Sequence, residues 1–234
     1  MQPLRIDVWS DIACPWCYVG KRRLEAALAQ FPRPVELVWR SFELDPDAAR
    51  LPDDATSTAA RLARKYGASL PEAQAMLDRM TTTAAADGLE LRFDRLRAGN
   101  TLDAHRLLHL AHAEGKQDAL KERLFRAYFS EGVALNEPGV LARLAAEVGL
   151  DPARVEQVLR SDEFTADVRA DEAAARSLGV RGVPYFVLGG SHAVAGAHPA
   201  AALRSALGAA WTARQGHDEH EDDAPGVCGP DGCA

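Results

Sequence analysis

The chain is 234 residues long, with 47% hydrophobic and 26% charged residues, which is ordinary for a soluble globular protein and excludes disorder of the whole chain. No apolar run approaches the roughly 18 residues that a membrane span needs. The net charge of −7 comes from the tail, because residues 215–234 hold six of the 34 acidic residues and no Lys or Arg, leaving 28 acidic against 27 basic residues in residues 1–214. This nearly neutral body excludes the basic surface typical of nucleic-acid binding, so we expect neither nucleic acid nor a membrane as partner.

The N-terminal segment predicts a βαβ unit. Residues 4–9 alternate apolar and polar side chains, as a half-buried strand does, and residues 35–42 predict a second strand. Residues 15–31 between them show helical periodicity. Two strands joined by one such helix run parallel. Arg5 and Asp7 interrupt the apolar character that a secretion signal requires, so we expect a cytoplasmic protein.

Residues 45–178 contain almost no strand signal and predict about seven helices instead. Several of these segments stop at a glycine, which can adopt the left-handed conformation found just after a helix. The glycines in such positions are Gly67, Gly88, Gly115, Gly132, Gly149 and Gly179. Asp151 followed by Pro152 predicts a helix start, because aspartate caps the first turn and proline suits its first position.

Strand signal returns after the helical stretch. Residues 184–188 and 192–195 flank Gly189-Gly190, which predicts a β-hairpin. Residues 199–214 predict a closing helix. The remaining acidic segment is rich in Gly and Pro, and we expect it to be mobile.

These elements predict an α/β protein in which helices interrupt a small sheet domain. We expect residues 1–44 and 179–214 to form the sheet domain and residues 45–178 to form an all-helical insertion between its second and third strands. Residues 215–234 are expected to be a flexible acidic tail.

Two of the four cysteines stand where the first strand hands over to the first helix, in Cys14-Pro15-Trp16-Cys17. The first backbone N–H groups of a helix have no partners and, with the helix dipole, stabilise a thiolate at Cys14. Cys17 falls one turn into the helix, on its inner side. The spacing therefore predicts Cys14 as the attacking sulfur and Cys17 as the resolving sulfur.

Other interpretations of this pair stay open. C-x-x-C is also half of a zinc site, and Cys228 with Cys233 could supply the other half. Structural zinc pairs usually lie in loops, whereas this pair opens a helix. Lys21 and Arg22 lie within two turns and would add positive potential if they pointed towards Cys14, but the sequence does not give their direction.

Three stretches resemble the DsbA-like thioredoxin-fold oxidoreductases, and specifically their FrnE-like branch. The first is Ser-Asp-Ile-Ala-Cys-Pro-Trp-Cys-Tyr-Val-Gly-Lys at residues 10–21. The second is Gly-Val-Arg-Gly-Val-Pro-Tyr-Phe at residues 179–186, and the third is Asn-Thr-Leu-Asp-Ala-His-Arg at residues 100–106. The resemblance covers about residues 1–214 and implies a thioredoxin fold.

The resemblance also implies roles for particular residues. It implies a cis bond before Pro184, opposite the C-x-x-C pair, with Pro184 part of the catalytic site. A proline at a strand start leaves the preceding backbone free to pair with an extended peptide. The residues expected to contact substrate are Pro15, Trp16, Val183, Asn100 and His105. His109 and His112 share the helix of His105 with zinc-like spacing, but no H-E-x-x-H pattern is present, so we interpret them as helix-surface or cleft residues.

The second cysteine pair departs from the family pattern, although some FrnE-like proteins carry such an extra C-x4-C. Gly-Pro-Asp-Gly between Cys228 and Cys233 predicts a β-turn that sets the two cysteines opposite each other. Three interpretations remain: a redox relay to the first pair, a metal site that includes His217 and His220, and an inert stabilising disulfide. Cytosolic disulfides are more often catalytic than structural, which favours the relay.

The sequence thus predicts a thiol–disulfide oxidoreductase acting on protein disulfides, with no organic cofactor and no metal. Its expected partners are disulfide- or thiol-containing proteins and a reducing partner such as thioredoxin or glutathione. One alternative is a glutathione-dependent isomerase or transferase of the same fold, although those relatives carry serine where this chain has Cys14. Another is a metal-binding or chaperone protein that uses the four cysteines.

Overall fold

The computed structural model describes residues 2–48 and 56–221. In those residues four strands and nine helices follow one another along the chain. They are β1 (Leu4–Ser10), α1 (Pro15–Leu28), β2 (Val35–Ser41), α2 (Thr58–Tyr66), α3 (Leu70–Ala86), α4 (Leu102–Ala113), α5 (Gln117–Phe129), α6 (Pro138–Glu147), α7 (Pro152–Leu159), α8 (Thr165–Ser177), β3 (Tyr185–Leu188), β4 (His192–Ala195) and α9 (Ala200–Glu221). The predicted fold class, a thioredoxin fold with helices inserted between the second and third strands, is confirmed.

The sheet has the strand order β2-β1-β3-β4. Strands β1 and β2 are parallel, from Leu4 opposite Val35 to Ser10 opposite Ser41, as the predicted βαβ unit requires. Strand β3 is antiparallel to both β1 and β4. Gly189 and Gly190, each with positive φ, close the predicted hairpin.

Helix α1 is shared by two hydrophobic cores. Leu24 and Ala27 belong to the sheet core, which α9 covers with Leu203 and Leu207. The larger core lies among the inserted helices, and it includes both N-terminal cysteines and Tyr18. The ring of Tyr18 stacks on that of Phe125 in α5, with 4.9 Å between the centroids. The start of α1 is therefore enclosed between the sheet and the insertion.

The helix ends follow the local signals in the sequence. All six glycines expected at helix C-termini have positive φ. The side chain of Asp151 accepts a hydrogen bond from the Ala153 N–H at 3.2 Å and caps α7, as predicted. Each of these signals acts within a few residues of the helix end, which explains why the sequence revealed them.

Two predicted boundaries are wrong. Helix α1 ends at Leu28 instead of residue 31, because Pro32 disfavours the helical conformation in the residue before it and the last residues form a turn. Helix α9 continues past Arg214 to Glu221, because no proline interrupts the chain there. Cys228, Cys233 and the turn predicted between them lie outside the described residues. No helix in the described part of the chain is long and apolar enough to cross a membrane.

Candidate active site

The first cysteine pair is built on the turn from β1 into α1. Cys14 occupies the N-cap position and Pro15 is the first helical residue. The Cys14 carbonyl accepts the Cys17 N–H at 3.0 Å, which sets the two cysteines one turn apart. The Cys14 N–H donates to the Asp11 carbonyl at 3.2 Å and so fixes the approach to the helix. Both thiols are free.

The two thiols differ in surroundings. The side chain of Cys17 is fully buried, and burial together with the adjacent Cys14 raises the pKa of Cys17 well above its ordinary value. Cys14 is 5% exposed, and the neighbouring Trp16 is 45% exposed. A protonated inner thiol beside an outer one at a helix N-terminus is the arrangement that sequential attack and resolution require.

Residues 183 and 184 face the pair from the other side of the site. The Val183–Pro184 bond is cis, as the resemblance implied. The Cys14 thiol donates a hydrogen bond to the Val183 carbonyl with 3.5 Å between Sγ and O. The Val183 N–H has no hydrogen-bond partner among the described residues.

An open cavity of about 480 Å³ adjoins the contact between Cys14 and Val183. It is lined by Trp16, Arg181, Val183, Pro184, Tyr185 and Ala197, among others. Three residues expected to form the site, Trp16, Val183 and Pro184, therefore lie together along its wall. Pro15 directly precedes Trp16 in the chain and is half-buried at the start of α1.

Gly20 gives the first prediction, because α1 approaches Pro184 closely at this position. A Cβ on Gly20 would lie 2.8 Å from Cγ of Pro184. We expect Gly20→Ala to displace Pro184, to lower the rate of disulfide reduction, and to destabilise the fold by about 1–3 kcal/mol through overpacking. Denaturant unfolding and turnover with a disulfide substrate measure the two effects.

Gly208→Ala in α9 is the matched control, because a Cβ there meets no atom within 4 Å. Alanine favours a helix over glycine by up to about 1 kcal/mol, so this variant is expected to be slightly more stable and fully active. Equal behaviour of the two variants would show that the Gly20–Pro184 contact is unimportant.

A buried carboxylate lies directly before the cysteines. Asp11 accepts hydrogen bonds from the Leu44 N–H at 2.7 Å and the Ala13 N–H at 3.1 Å, and Nε2 of His105 is 3.5 Å from its Oδ1. Burial acts to raise the pKa of Asp11, but His105 and the two N–H groups outweigh it and lower that pKa. Asp11 therefore stays ionised inside the protein.

Lys121, a fully buried lysine of α5, is a residue that the sequence did not single out. Its Nζ donates to the Ser10 carbonyl at 3.4 Å and lies over the rings of Trp39 and Phe125, at 5.5 and 5.1 Å from their centroids. Burial lowers the pKa of Lys121 to about 8, against the opposing effects of Cys17, Asp11 and Cys14. One signal in the sequence could have found it: Lys121 shares its helical face with Leu124, Phe125 and Tyr128.

The two basic residues expected near Cys14 are occupied elsewhere. Lys21 is buried, pairs with Glu25, and lies 3.3 Å from Asp118 and 3.2 Å from Glu122. Arg22 pairs with Glu122 at 2.7 Å. Their charges are neutralised by carboxylates and hold α1 against α5.

Two residues that are expected to contact substrate, Asn100 and His105, are not among those that line the cavity. His105 is fully buried against Asp11, so it does not line the cleft as expected, because α4 turns this residue into the core. The Asn100 amide donates to the Pro46 carbonyl at 3.1 Å and its Oδ1 accepts the Leu102 N–H at 2.9 Å, which holds the start of α4.

The other two histidines of α4 also point different ways. His109 contacts Ser41 at 3.1 Å and Asp171 at 3.3 Å, whereas His112 is exposed. In the described part of the chain no three His, Cys, Asp or Glu side chains are grouped as metal ligands would be.

Comparison with known proteins agrees with this geometry. The family model of the DSBA-like thioredoxin domain matches residues 5–208. The crystal structure of a probable DsbA oxidoreductase from Streptomyces coelicolor is 44% identical, with a TM-score of 0.84 over 99% of this chain and 98% of that one. An uncharacterized protein of Bacillus subtilis, YwbO, is 28% identical over 80% of this chain and 87% of its own.

A more distant structure shares the fold. It is the cytosolic disulfide reductase DsbM from Pseudomonas aeruginosa with GSH, 17% identical, with a TM-score of 0.60 over 92% of this chain and 99% of that one.

Proposed function

The chain belongs to the DsbA-like thioredoxin domain family, and from this premise we propose that it is a thiol–disulfide oxidoreductase that acts on protein disulfides through Cys14 and Cys17. The observation that carries the proposal is the contact between the Cys14 thiol and the Val183 carbonyl, beside an open cavity. Membership of the family alone would not assign these residues, since related folds also carry isomerases.

The reaction starts with the Cys14 thiolate, which attacks one sulfur of a substrate disulfide. A bond forms between Cys14 and that sulfur, and the other substrate sulfur leaves with the electron pair and takes a proton from solvent. Cys17 then loses its proton and attacks Cys14. The Cys14–Cys17 disulfide forms, the substrate is released as a dithiol, and two electrons have moved from the protein to the substrate.

Substrate is proposed to bind in the cavity as an extended segment. The Val183 N–H, which has no partner in residues 2–48 and 56–221, is free to donate to a substrate backbone carbonyl. The exposed ring of Trp16 offers an apolar contact beside Cys14. Arg181, which also lines the cavity, offers a positive charge to a carboxylate.

The reducing partner is proposed to be thioredoxin or a small thiol such as glutathione. The DsbM structure, which shares the fold, was determined with GSH. That neighbour is named a cytosolic reductase, and we propose a cytoplasmic location for this chain as well. The finer assignment to the FrnE-like branch rests on the sequence stretches around both cysteine pairs.

A turnover assay tests the proposed function. The protein is expected to reduce insulin disulfides with dithiothreitol or glutathione as electron donor. The isomerase or transferase alternative predicts instead glutathione conjugation of a small electrophile with no insulin reduction. The metal-binding alternative predicts stoichiometric zinc in the purified, reduced protein.

We further propose, from the sequence, that Cys228 and Cys233 relay electrons to the first pair. A short tether raises the effective concentration of one pair near the other to the millimolar range. Deleting residues 222–234, which leaves α9 whole, is expected to slow cycling of Cys14–Cys17 without changing alkylation of Cys14 by a small reagent.

Two measurements check the relay. Stopped-flow turnover compares the truncated and full-length proteins with the same reductant, and mass spectrometry of Cys17→Ser searches for a disulfide between Cys14 and the tail. Equal turnover with no such crosslink would rule the relay out.

A further inference from the structure

Lys121 is a buried cation whose surroundings differ from those of the other buried lysine nearby. Its side chain is fully buried, and no Asp or Glu of the described residues is in ion-pair contact with it. Lys21, the other buried lysine of this region, is in contact with three carboxylates. A buried ammonium is costly unless another charge compensates it, so the lone cation requires an explanation.

The ionisable groups that face Lys121 come from the active site. Cys17 lies in the same buried core as Phe125, whose ring centroid is 5.1 Å from Nζ of Lys121. The Ser10 carbonyl, 3.4 Å from Nζ, ends the strand that leads into Asp11 and Cys14. Lys21 of α1 and His105 of α4 oppose its charge. Cys17 has the largest electrostatic effect on it of these groups. The reverse effect is also present, because Lys121 favours the thiolate form of Cys17.

We propose that Lys121 is a positioning residue for resolution, and that its ammonium is the counter-charge for the thiolate that forms on Cys17. The proposal rests on the proposed function. In the mixed disulfide, the proton of Cys17 passes to solvent and the negative charge develops next to Lys121. The thiolate electron pair then forms the bond to Sγ of Cys14, and the bond from Cys14 to the substrate sulfur breaks with its electrons on that sulfur.

This role fits the surroundings of both Cys17 and Lys121. Cys17 is fully buried, so water cannot stabilise its thiolate. The aromatic rings of Trp39 and Phe125 hold the ammonium without neutralising it, as a carboxylate would. The charge is therefore available to the thiol.

The test uses dithiobis(nitrobenzoate), an aromatic disulfide that releases a coloured thiolate twice. The first release reports attack by Cys14, and the second reports resolution of the mixed disulfide by Cys17. Removing the Lys121 charge is expected to lower the ratio of the second rate to the first by about tenfold, the effect of one pKa unit on a thiolate population. The ratio separates the roles because Lys121 interacts more strongly with Cys17 than with Cys14.

Two variants remove the charge. Lys121→Met removes it with the hydrogen bond to Ser10, and Lys121→Gln keeps a donor for that carbonyl. Circular dichroism shows whether each variant folds. If only one of them folds, that variant is sufficient for the test. Lys21→Met is the matched control, a buried lysine already neutralised by carboxylates, and its ratio is expected to stay within about twofold of the wild type, too small for one pKa unit.

The outcomes are distinct. An unchanged ratio in a folded Lys121 variant overturns the inference, as does an equal fall in Lys21→Met. When both Lys121 variants fold, a fall in Lys121→Met without a fall in Lys121→Gln also overturns it. Absence of the first release in the wild type would instead contradict the proposed function. The wild-type ratio adds a pH readout: it is expected to lose the contribution of Lys121 as the pH rises through about 8, where the ammonium loses its charge.

Discussion

Cys14→Ser is expected to reduce insulin disulfide reduction to the uncatalysed rate. A serine hydroxyl cannot form the covalent bond to substrate sulfur that a thiolate forms, and no other described cysteine occupies the N-cap of a helix next to an open cavity. The change is nearly isosteric, so the fold should persist. Turnover in the insulin assay, with circular dichroism and thermal unfolding of the same sample, measures both.

The outcome that would contradict this assignment is an active Cys14→Ser protein. If most of the activity remained, the nucleophile would lie elsewhere, and the tail cysteines would be the next candidates. Gly208→Ala, whose added Cβ meets no atom within 4 Å, serves as the active reference.

Cys17→Ser is also expected to stop turnover, but at a later step than Cys14→Ser. Cys14 still attacks, but no thiol resolves the intermediate, so a stable mixed disulfide accumulates and catalytic turnover stops. Mass spectrometry should find a substrate adduct on the Cys14 peptide that excess dithiothreitol removes. In the wild type Cys17 is fully buried and cannot reach the substrate, so its replacement should affect only the resolution step.

The control for trapping is the double variant Cys14→Ser/Cys17→Ser, which should capture nothing. Adducts of equal abundance in the double variant would show that another cysteine reacts. Sustained turnover of the single variant would show that Cys17 is not the resolving sulfur.

The sheet could be predicted because its signals are local. The alternation of residues 4–9, the helix that follows and the second strand define a parallel βαβ unit without further information. The glycine pair at positions 189 and 190 defines the hairpin in the same way. The cis bond before Pro184 needed the family resemblance, because no local pattern distinguishes it from an ordinary proline.

The surroundings of the cysteines could not be predicted in the same way. Lys121 lies near the cysteines only because α5 packs against α1. The two helices are widely separated in the chain. The direction of Lys21 depended on the same packing, since its partners Asp118 and Glu122 lie on α5. The family motif predicts His105 in the cleft, yet the rotation of α4 buries it. These contacts depend on how helices dock, which periodicity does not specify.

The end of the chain illustrates a different limit. Acidic composition predicted a mobile tail from residue 215, but helix α9 continues to Glu221. Acidic composition indicates that the segment packs weakly against the rest of the protein. A helix that has already formed can nevertheless extend through such a segment when no helix-breaking residue interrupts it. The division into a sheet domain, a helical insertion and a tail stays a prediction, as does the role of Cys228 and Cys233.

The central claim is that Cys14 and Cys17 form one redox pair, and a redox titration tests it most directly. The protein is equilibrated in glutathione buffers of graded ratio and quenched with an alkylating reagent. Mass spectrometry then counts the free thiols on the peptide that contains both cysteines. Both thiols are expected to disappear together in one two-electron transition, giving a disulfide between Cys14 and Cys17. Independent loss of the two thiols as separate glutathione adducts, or their persistence at every ratio, would contradict it.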